Sequence, residues 1–268
     1  MQYVKAAIIS LFVLAVPVFL ITTTARVVIN SDLLYRYGFE RYEIPLYTGI
    51  EMDELMSASR QIRDYFNNDE EYLDVQVRAG GIVRSIYNQR EVLHMKDVKD
   101  LLKGVYTLQI VTGLYILFFA GLMLWLNRTR LSAGTAGLLS YAGIGGGVTL
   151  ALVVIVGLGA LVGFDRLFLA FHLISFSNDF WQLDPSRDYL IAMFPQGFFF
   201  DSTMAIAAGV VVEALLLSYG GAKAYGRLRD MERRRIAAES AWALPKASFV
   251  DITQVDAESA RYTDGHRI

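Results

Sequence analysis

Four long apolar stretches limit the architectures open to this chain, because an α-helix needs about 20 apolar residues to cross the roughly 30 Å hydrocarbon core of a bilayer. They run from Ala6 to Ala25, from Gly104 to Asn127, within Leu131 to Phe164, and from about Phe198 to Leu217. Backbone polar groups inside lipid must find partners within the segment itself, so helices are the expected form. Of the 268 residues 54% are hydrophobic and 19% charged, with a mean hydropathy of +0.37. That is too apolar for a soluble domain of this size. Trp125 near the end of the second stretch suits a membrane interface, and the glycines of the third let neighbouring helices approach closely. The expected fold class is membrane all-α, a bundle of four transmembrane helices.

Lysine and arginine near span ends are retained in the cytoplasm. Arg128 and Arg130 lie in the turn between the second and third stretches, and Lys223, Arg227, Arg229, Arg233, Arg234 and Arg235 follow the fourth. Both termini are therefore expected in the cytoplasm of a multi-pass protein of the cell membrane. The first stretch reads as an uncleaved anchor, since its apolar run exceeds the ~7 to 15 residues of a signal-peptide core.

Four regions follow: 1–29, the first transmembrane helix; 30–103, a small extracytoplasmic α+β cap; 104–219, transmembrane helices two to four with an outward active-site loop at 164–197; and 220–268, a basic cytoplasmic tail whose end, 247–268, is expected to lack structure. Within the cap, YEIPLYTG (42–49) suggests an extended segment and a helix begins near Met52. LDVQVRAGGIVRSIYN (73–88) alternates like a hairpin about its Gly-Gly pair, and Val92 to Lys103 has helical spacing that runs into the second span. Leu167 to Phe180 is too short and too polar at its end to span, so an interfacial or re-entrant segment is expected after the third span.

A net charge of -2 implies neither a field for nucleic acid nor a trap for acidic substrates. The absence of cysteine excludes disulfides, thiolate metal sites, iron-sulfur clusters and a cysteine nucleophile. No HExxH, GxSxG or GxxxxGK[ST] pattern is present, and GIGGGV in the third stretch is a helix-packing signal. Two histidines carry the remaining chemistry. His94 lies about three helical turns before the second stretch and His172 about two turns past the third, so the topology brings both to the same membrane surface. Two imidazoles there can act as base and acid near neutral pH, and spacing alone equally allows two ordinary interfacial histidines.

Their surroundings favour chemistry. Asp97 shares a helical face with His94 and is placed either to fix its tautomer or to support the helix. Around His172, Phe171, Phe176, Phe180 and Trp181 suit the headgroup region, while Asn178, Asp179, Asp184 and Asp188 bring polar groups to the same depth. Asp165, Arg166 and Arg187 complete a set of charges that a loop of salt bridges explains as well as catalysis does. Glu213 in the fourth stretch belongs either to an ion path or to a pair with Arg227 or Lys223, and no role is assigned to His266 in the tail.

FHLISFSNDFWQLDPSRDYLIAMFPQGFFFD, from Phe171 to Asp201, together with LHMKDVKDLL, from Leu93 to Leu102, resembles the bacterial lipoprotein intramolecular transacylases. The first motif is the distinctive one, and elsewhere the resemblance is one of topology. It implies a membrane enzyme that moves a fatty acyl chain from the middle glycerol position of a diacylated lipoprotein to the α-amine of its N-terminal cysteine, leaving a lyso-form lipoprotein. It implies His94 and His172 as the catalytic pair and lipoprotein and membrane lipids as partners; no cofactor, no metal site and no nucleic-acid partner are expected, and a metal assisting the histidines stays open. Ester-to-amide transfer is downhill, and a donor and acceptor in one molecule gain much from positioning alone. The residues further suggest His172 as base and His94 as orienting or stabilising group, or the two in reversed roles, with Asn178 and Arg166 as oxyanion donors and Asp179, Trp181 and Asp184 as pocket or supporting residues. Two readings from other classes compete: a non-catalytic envelope binding or assembly protein, and a proton-coupled transporter using Glu213 and the histidines.

Overall fold

The computed structural model describes residues 2–79 and 81–243. The polar stretch 247–268, with His266, lies outside them. The chain falls into two compact units, 1–225 and 226–268, and the elements that build the site belong to the first.

Four helices are long and apolar enough to cross a membrane: α1 (Gln2–Ile29), α5 (Gln89–Leu126), α6 (Leu131–Ser175) and α8 (Gln196–Ala243). α1 packs against both α5 and α6, with Phe12 stacked on Phe119 at 4.3 Å. Leu108, Val111, Leu114, Leu117 and Phe118 on α5 are exposed, as befits a face whose solvent is lipid. α6 and α8 meet where glycine faces glycine: a Cβ on Gly143 would stand 2.6 Å from the Gly221 Cα, and one on Gly221 2.5 Å from the Gly143 Cα. Only backbone lies in the way there, so the close approach depends on both residues.

Between α1 and α5 the chain folds a cap of α2 (Asp32–Arg41), α3 (Ile44–Thr48), α4 (Met52–Phe66) and an antiparallel hairpin of β1 (Gln76–Ala79) and β2 (Ile82–Ser85). α4 forms because its apolar residues fall on one helical face; Leu55, Met56, Ala58, Ile62, Tyr65 and Phe66 are all buried. The segment expected to be extended at 42–49 is instead turned by Glu43, in the left-handed region at φ 50°, and coiled into α3 until Gly49 at φ 69°. Pro45 at the first turn of this helix lacks only an N–H that would have had no partner.

α5 is about 57 Å long at 1.5 Å per residue, far more than a bilayer requires. Its first part, 89–103, carries Arg90, Glu91, Lys96, Asp97, Lys99, Asp100 and Lys103. That charge density keeps it outside the hydrocarbon, among the cap residues. There the Lys99 ammonium donates to the Glu70 carbonyl at 2.6 Å and to Asn68 Oδ1 at 2.9 Å, over the ring of Tyr65. α6 overshoots in the same way. Gly163, at φ -169° and ψ 69°, breaks the helix, and the arm beyond it runs to Ser175, so Leu167 to Ser175 is helical. An irregular segment with a short helix, α7 (Tyr189–Met193), leads on to α8. Leu190, Met193, Phe194 and Phe198 join the cap residues in one core, which fixes the overshooting ends of the helices to the cap.

Candidate active site

The site forms where the charged end of α5 meets the arm of α6. His94 and His172 are both buried, with ring centroids 6.2 Å apart and ring planes at 31°. No hydrogen bond joins the two rings. Phe176 stands edge-on to His94 at 5.2 Å, Phe168 contacts the His172 ring at 4.4 Å, and Trp181 covers it at 5.0 Å.

The two rings differ in their hydrogen bonding. His172 Nδ1 lies 2.7 Å from the Phe168 carbonyl oxygen. A carbonyl only accepts, so Nδ1 carries the proton, and Nε2 of the neutral ring presents a lone pair. His94 Nδ1 is buried with no partner. An orphaned acceptor costs less than an orphaned N–H, which assigns the His94 proton to Nε2. Burial foremost, and then the neighbouring imidazole, push the His94 pKa down to about 4 against the opposing charge of Asp97. His94 is thus neutral at physiological pH, with its proton on Nε2.

Asp97 does not bond to His94, one of the two roles its position on the helix allowed. Its carboxylate accepts from the Asn178 side-chain amide at 2.8 Å, and Asn178 Oδ1 in turn accepts from the Phe180 N–H at 3.0 Å. One side chain thereby ties the segment after His172 to the helix that carries His94.

A cavity of about 560 Å³ opens beside the pair. Phe164, Phe168, Phe171, Phe194, Phe198 and Phe199 line it with aliphatic residues of α5, α8 and the cap; apart from the histidines, only Tyr35, Ser202 and Thr203 bring polar atoms. A volume of this size accommodates a small molecule or a lipid chain.

Several residues expected at the site stand elsewhere. Arg166 is exposed on the arm of α6 and does not line the cavity. Among the described residues its side chain makes no hydrogen bond or ion pair. Asp179 is exposed, bonded to Gln182 at 3.1 Å, while its carbonyl accepts from Arg90. Asp184 closes a turn by accepting from the Ser186 N–H and hydroxyl at 3.0 and 2.7 Å, and these bonds hold its carboxyl below the usual range. Asp165 accepts from Gln196 at 2.8 Å, and Arg187 pairs loosely with Asp184 at 3.7 Å. Each points its polar atoms into turns or solvent because the cavity wall is aromatic. In the bundle, Glu213 accepts from the buried Thr24 hydroxyl of α1 at 3.1 Å and makes no ion pair with Lys223.

Two buried carboxylates brace the site, Glu91, to which the sequence reading gave no role, and Asp188, which it named only among the polar groups near His172. Glu91 accepts from the Asn88 N–H at 2.7 Å, completing a capping box at the start of α5, and from the Leu190 N–H at 2.6 Å. Asp188 accepts from the Asn88 amide at 2.8 Å and from the Asp184 N–H at 2.7 Å. Together they fasten the loop before α7 to the helix turn below His94. The Asn-x-x-Glu spacing was a legible signal for the cap; no local spacing marked the partners of Asp188. No three His, Asp or Glu side chains converge as a metal-ligand group among the described residues.

A four-span bundle with a small cap, an apolar cavity and two imidazoles in its wall defines an integral membrane protein built to handle a lipid-like substrate. The family model described as lipoprotein intramolecular transacylase Lit matches residues 10–199, and the chain belongs to that family: it is a membrane acyltransferase. Its fold is similar to the solved structure of the membrane integral lipoprotein intramolecular transacylase Lit from Bacillus cereus, with a TM-score of 0.67 at 18% identity over 87% of this chain and 100% of that one. A variant of the same Bacillus cereus protein with one histidine replaced by alanine gives a TM-score of 0.68 at 18% identity, over 85% and 96% of the two chains. No protein of curated function matches the chain.

Proposed function

We propose that the protein moves a fatty acyl chain from the glycerol of a diacylated lipoprotein to the α-amine of that lipoprotein's N-terminal cysteine, with His172 as base and acid and His94 as oxyanion donor. The single observation that carries this reading is the pair of buried imidazoles in the wall of one apolar cavity, His172 held through Nδ1 by the Phe168 carbonyl and His94 with Nδ1 unbonded.

The cysteine amine attacks the ester carbonyl, forming a C–N bond while its proton passes to His172 Nε2. The carbonyl oxygen becomes an oxyanion, and His94 Nε2–H donates to it as charge develops. Collapse breaks the C–O bond to glycerol, and the proton on His172 passes to the departing glycerol oxygen. The enzyme returns to its starting protonation, and the products are an N-acyl cysteine and a free glycerol hydroxyl. Attacking and leaving groups belong to one substrate, so holding them in line across the cavity supplies much of the acceleration. The site then faces the outer leaflet, with both chain ends in the cytoplasm. This orientation agrees with the basic residues Arg128 and Arg130 in the turn between α5 and α6.

The test is expression with a diacylated lipoprotein reporter in cells lacking other N-acylation, followed by mass spectrometry of the reporter's N-terminal peptide. The expected product carries one acyl chain on the amine and one on glycerol. A peptide that retains both chains on glycerol would overturn the assignment.

A further inference from the structure

The hairpin of the cap has one closed edge and one open edge. Its register pairs Gln76 with Ser85, Val77 with Arg84 and Arg78 with Val83. On the outer side of β1, the Gln61 side chain of α4 takes the place of a neighbouring strand, accepting from the Gln76 N–H at 3.0 Å and donating to the Gln76 carbonyl at 2.9 Å. Glu54, also on α4, accepts from the Arg78 N–H at 2.8 Å. β1 therefore offers no edge to another chain.

These contacts also fix which way the groups of β2 point. Backbone groups along an antiparallel strand alternate between the partner and the outside. Gln76 and Arg78 face out, so Val77 faces Arg84, and Val75 likewise accepts from the Ile86 N–H at 3.4 Å. Val83 and Ser85 must then direct their N–H and C=O groups away from β1. None of these four groups finds a partner among the described residues. All four side chains of β2 are exposed, with Ile82 at 70% and Val83 at 56%. A row of unpaired main-chain groups is a template for one more strand.

We propose that this edge of β2 binds the extended peptide that follows the lipid-modified cysteine of the substrate, as a third antiparallel or parallel strand. The proposal rests on the transacylase reading. Continuity with the site selects this occupant. The Arg84 guanidinium on β2 donates to the Tyr189 hydroxyl at 3.3 Å, and the next residue, Leu190, both lines the cavity and donates its N–H to Glu91, one turn before His94. These contacts link the hairpin to the wall of the site, and β2 is the strand that can still pair with a polypeptide whose first residue reacts at the histidines. Main-chain pairing supplies affinity without reading side chains, which suits a substrate recognised by its lipidated terminus.

The test compares the full-length protein and its Val83→Pro variant on two synthetic diacylated lipopeptides, one ending two residues after the cysteine and one extending a further ten. Proline at position 83 deletes an outward N–H, a position where an edge strand tolerates it. The expected result is a ~3- to 10-fold loss in kcat/KM on the long peptide, carried by KM, and no change on the short one. N-methylation of alternate amides in the long peptide should reproduce the loss with wild type and add nothing with Val83→Pro. Equal losses on both peptides, or none on either, would overturn the docking strand. So would a wild type that runs as a dimer in detergent while Val83→Pro runs as a monomer, because the edge would then belong to a second copy. A wild type that transfers nothing on either peptide overturns the transacylase reading, and the docking proposal with it.

Discussion

Asn178 donates its side-chain amide to the Asp97 carboxylate at 2.8 Å, and through that bond the segment following His172 is held to the helix carrying His94. The two histidines come from elements joined by no shorter route than the whole of α5 and α6. Their separation in the cavity wall is therefore set by such ties. Asn178→Ala is expected to lower kcat by about 10-fold, since small misplacements of reacting groups are costly. Asp97→Ala should do the same, and the double variant should be no worse than either single one, the signature of two residues acting through one bond. Initial rates on a diacylated lipopeptide provide the measurement. Additive losses would mean that the residues act independently.

The buried His94 makes stability depend on pH. Its pKa falls from an ordinary 6.5 to about 4 on folding. Above pH ~6.5 neither the folded nor the unfolded ring binds a proton, and the stability contribution is fully present. As the pH drops toward 4 the unfolded ring takes up a proton that the folded ring refuses, so stability falls with pH, by roughly 3 kcal/mol at the limit. Thermal unfolding in detergent should show a larger fall in Tm between pH 7.5 and 5 for wild type than for His94→Gln, which has no ring to titrate.

Glu91 joins the start of α5 to the loop before α7 through bonds from the Asn88 and Leu190 N–H groups. Glu91→Ala strands the buried Leu190 N–H and removes the capping box at the start of α5, and should cost about 3 kcal/mol. Glu91→Gln retains an accepting oxygen and should cost less. Tm values of the two variants in one detergent provide the comparison, and equal values would show that the carboxylate is not what holds this junction.

Helix contact between α6 and α8 is expected to respond to single methyl groups. Gly221→Ala places a Cβ against backbone at 2.5 Å, whereas Gly157 has nothing within 4 Å of the corresponding point. The first substitution should lower Tm by several degrees and the second leave it unchanged, as read by thermal unfolding in detergent.

The four spans, the hairpin at 76–85 and the helix from Met52 were legible because each follows from a periodicity or an apolar run that no tertiary contact overrides. The meeting of His94 with His172 was legible for a related reason: helix length and topology alone carry both to one level. Beyond that, sequence was a poor guide. Asp97 stood at the correct spacing for His94 but bonds to Asn178, a partner 81 positions away, and spacing along a helix says nothing of what packs on it. Between Phe176 and Asp188 no regular element governs the chain, and the fates of Asp179, Asp184 and Asp188 depend on turns closed by neighbours. Pro45 looked like part of an extended run, yet its fixed φ also suits a first helical turn, and the left-handed Glu43 selected that outcome.

The central claim is that two imidazoles facing one cavity carry out the transfer. Its most direct test is a time course of acyl migration on a purified diacylated lipopeptide, followed by tandem mass spectrometry, for wild type, His172→Asn and His94→Asn, each shown to keep its Tm at pH 7.5. The account predicts a loss of ~10²- to 10⁴-fold in rate for His172→Asn, and a clear but smaller loss for His94→Asn, whose amide can still donate. Folded variants that transfer the acyl chain within about threefold of the wild-type rate would contradict it.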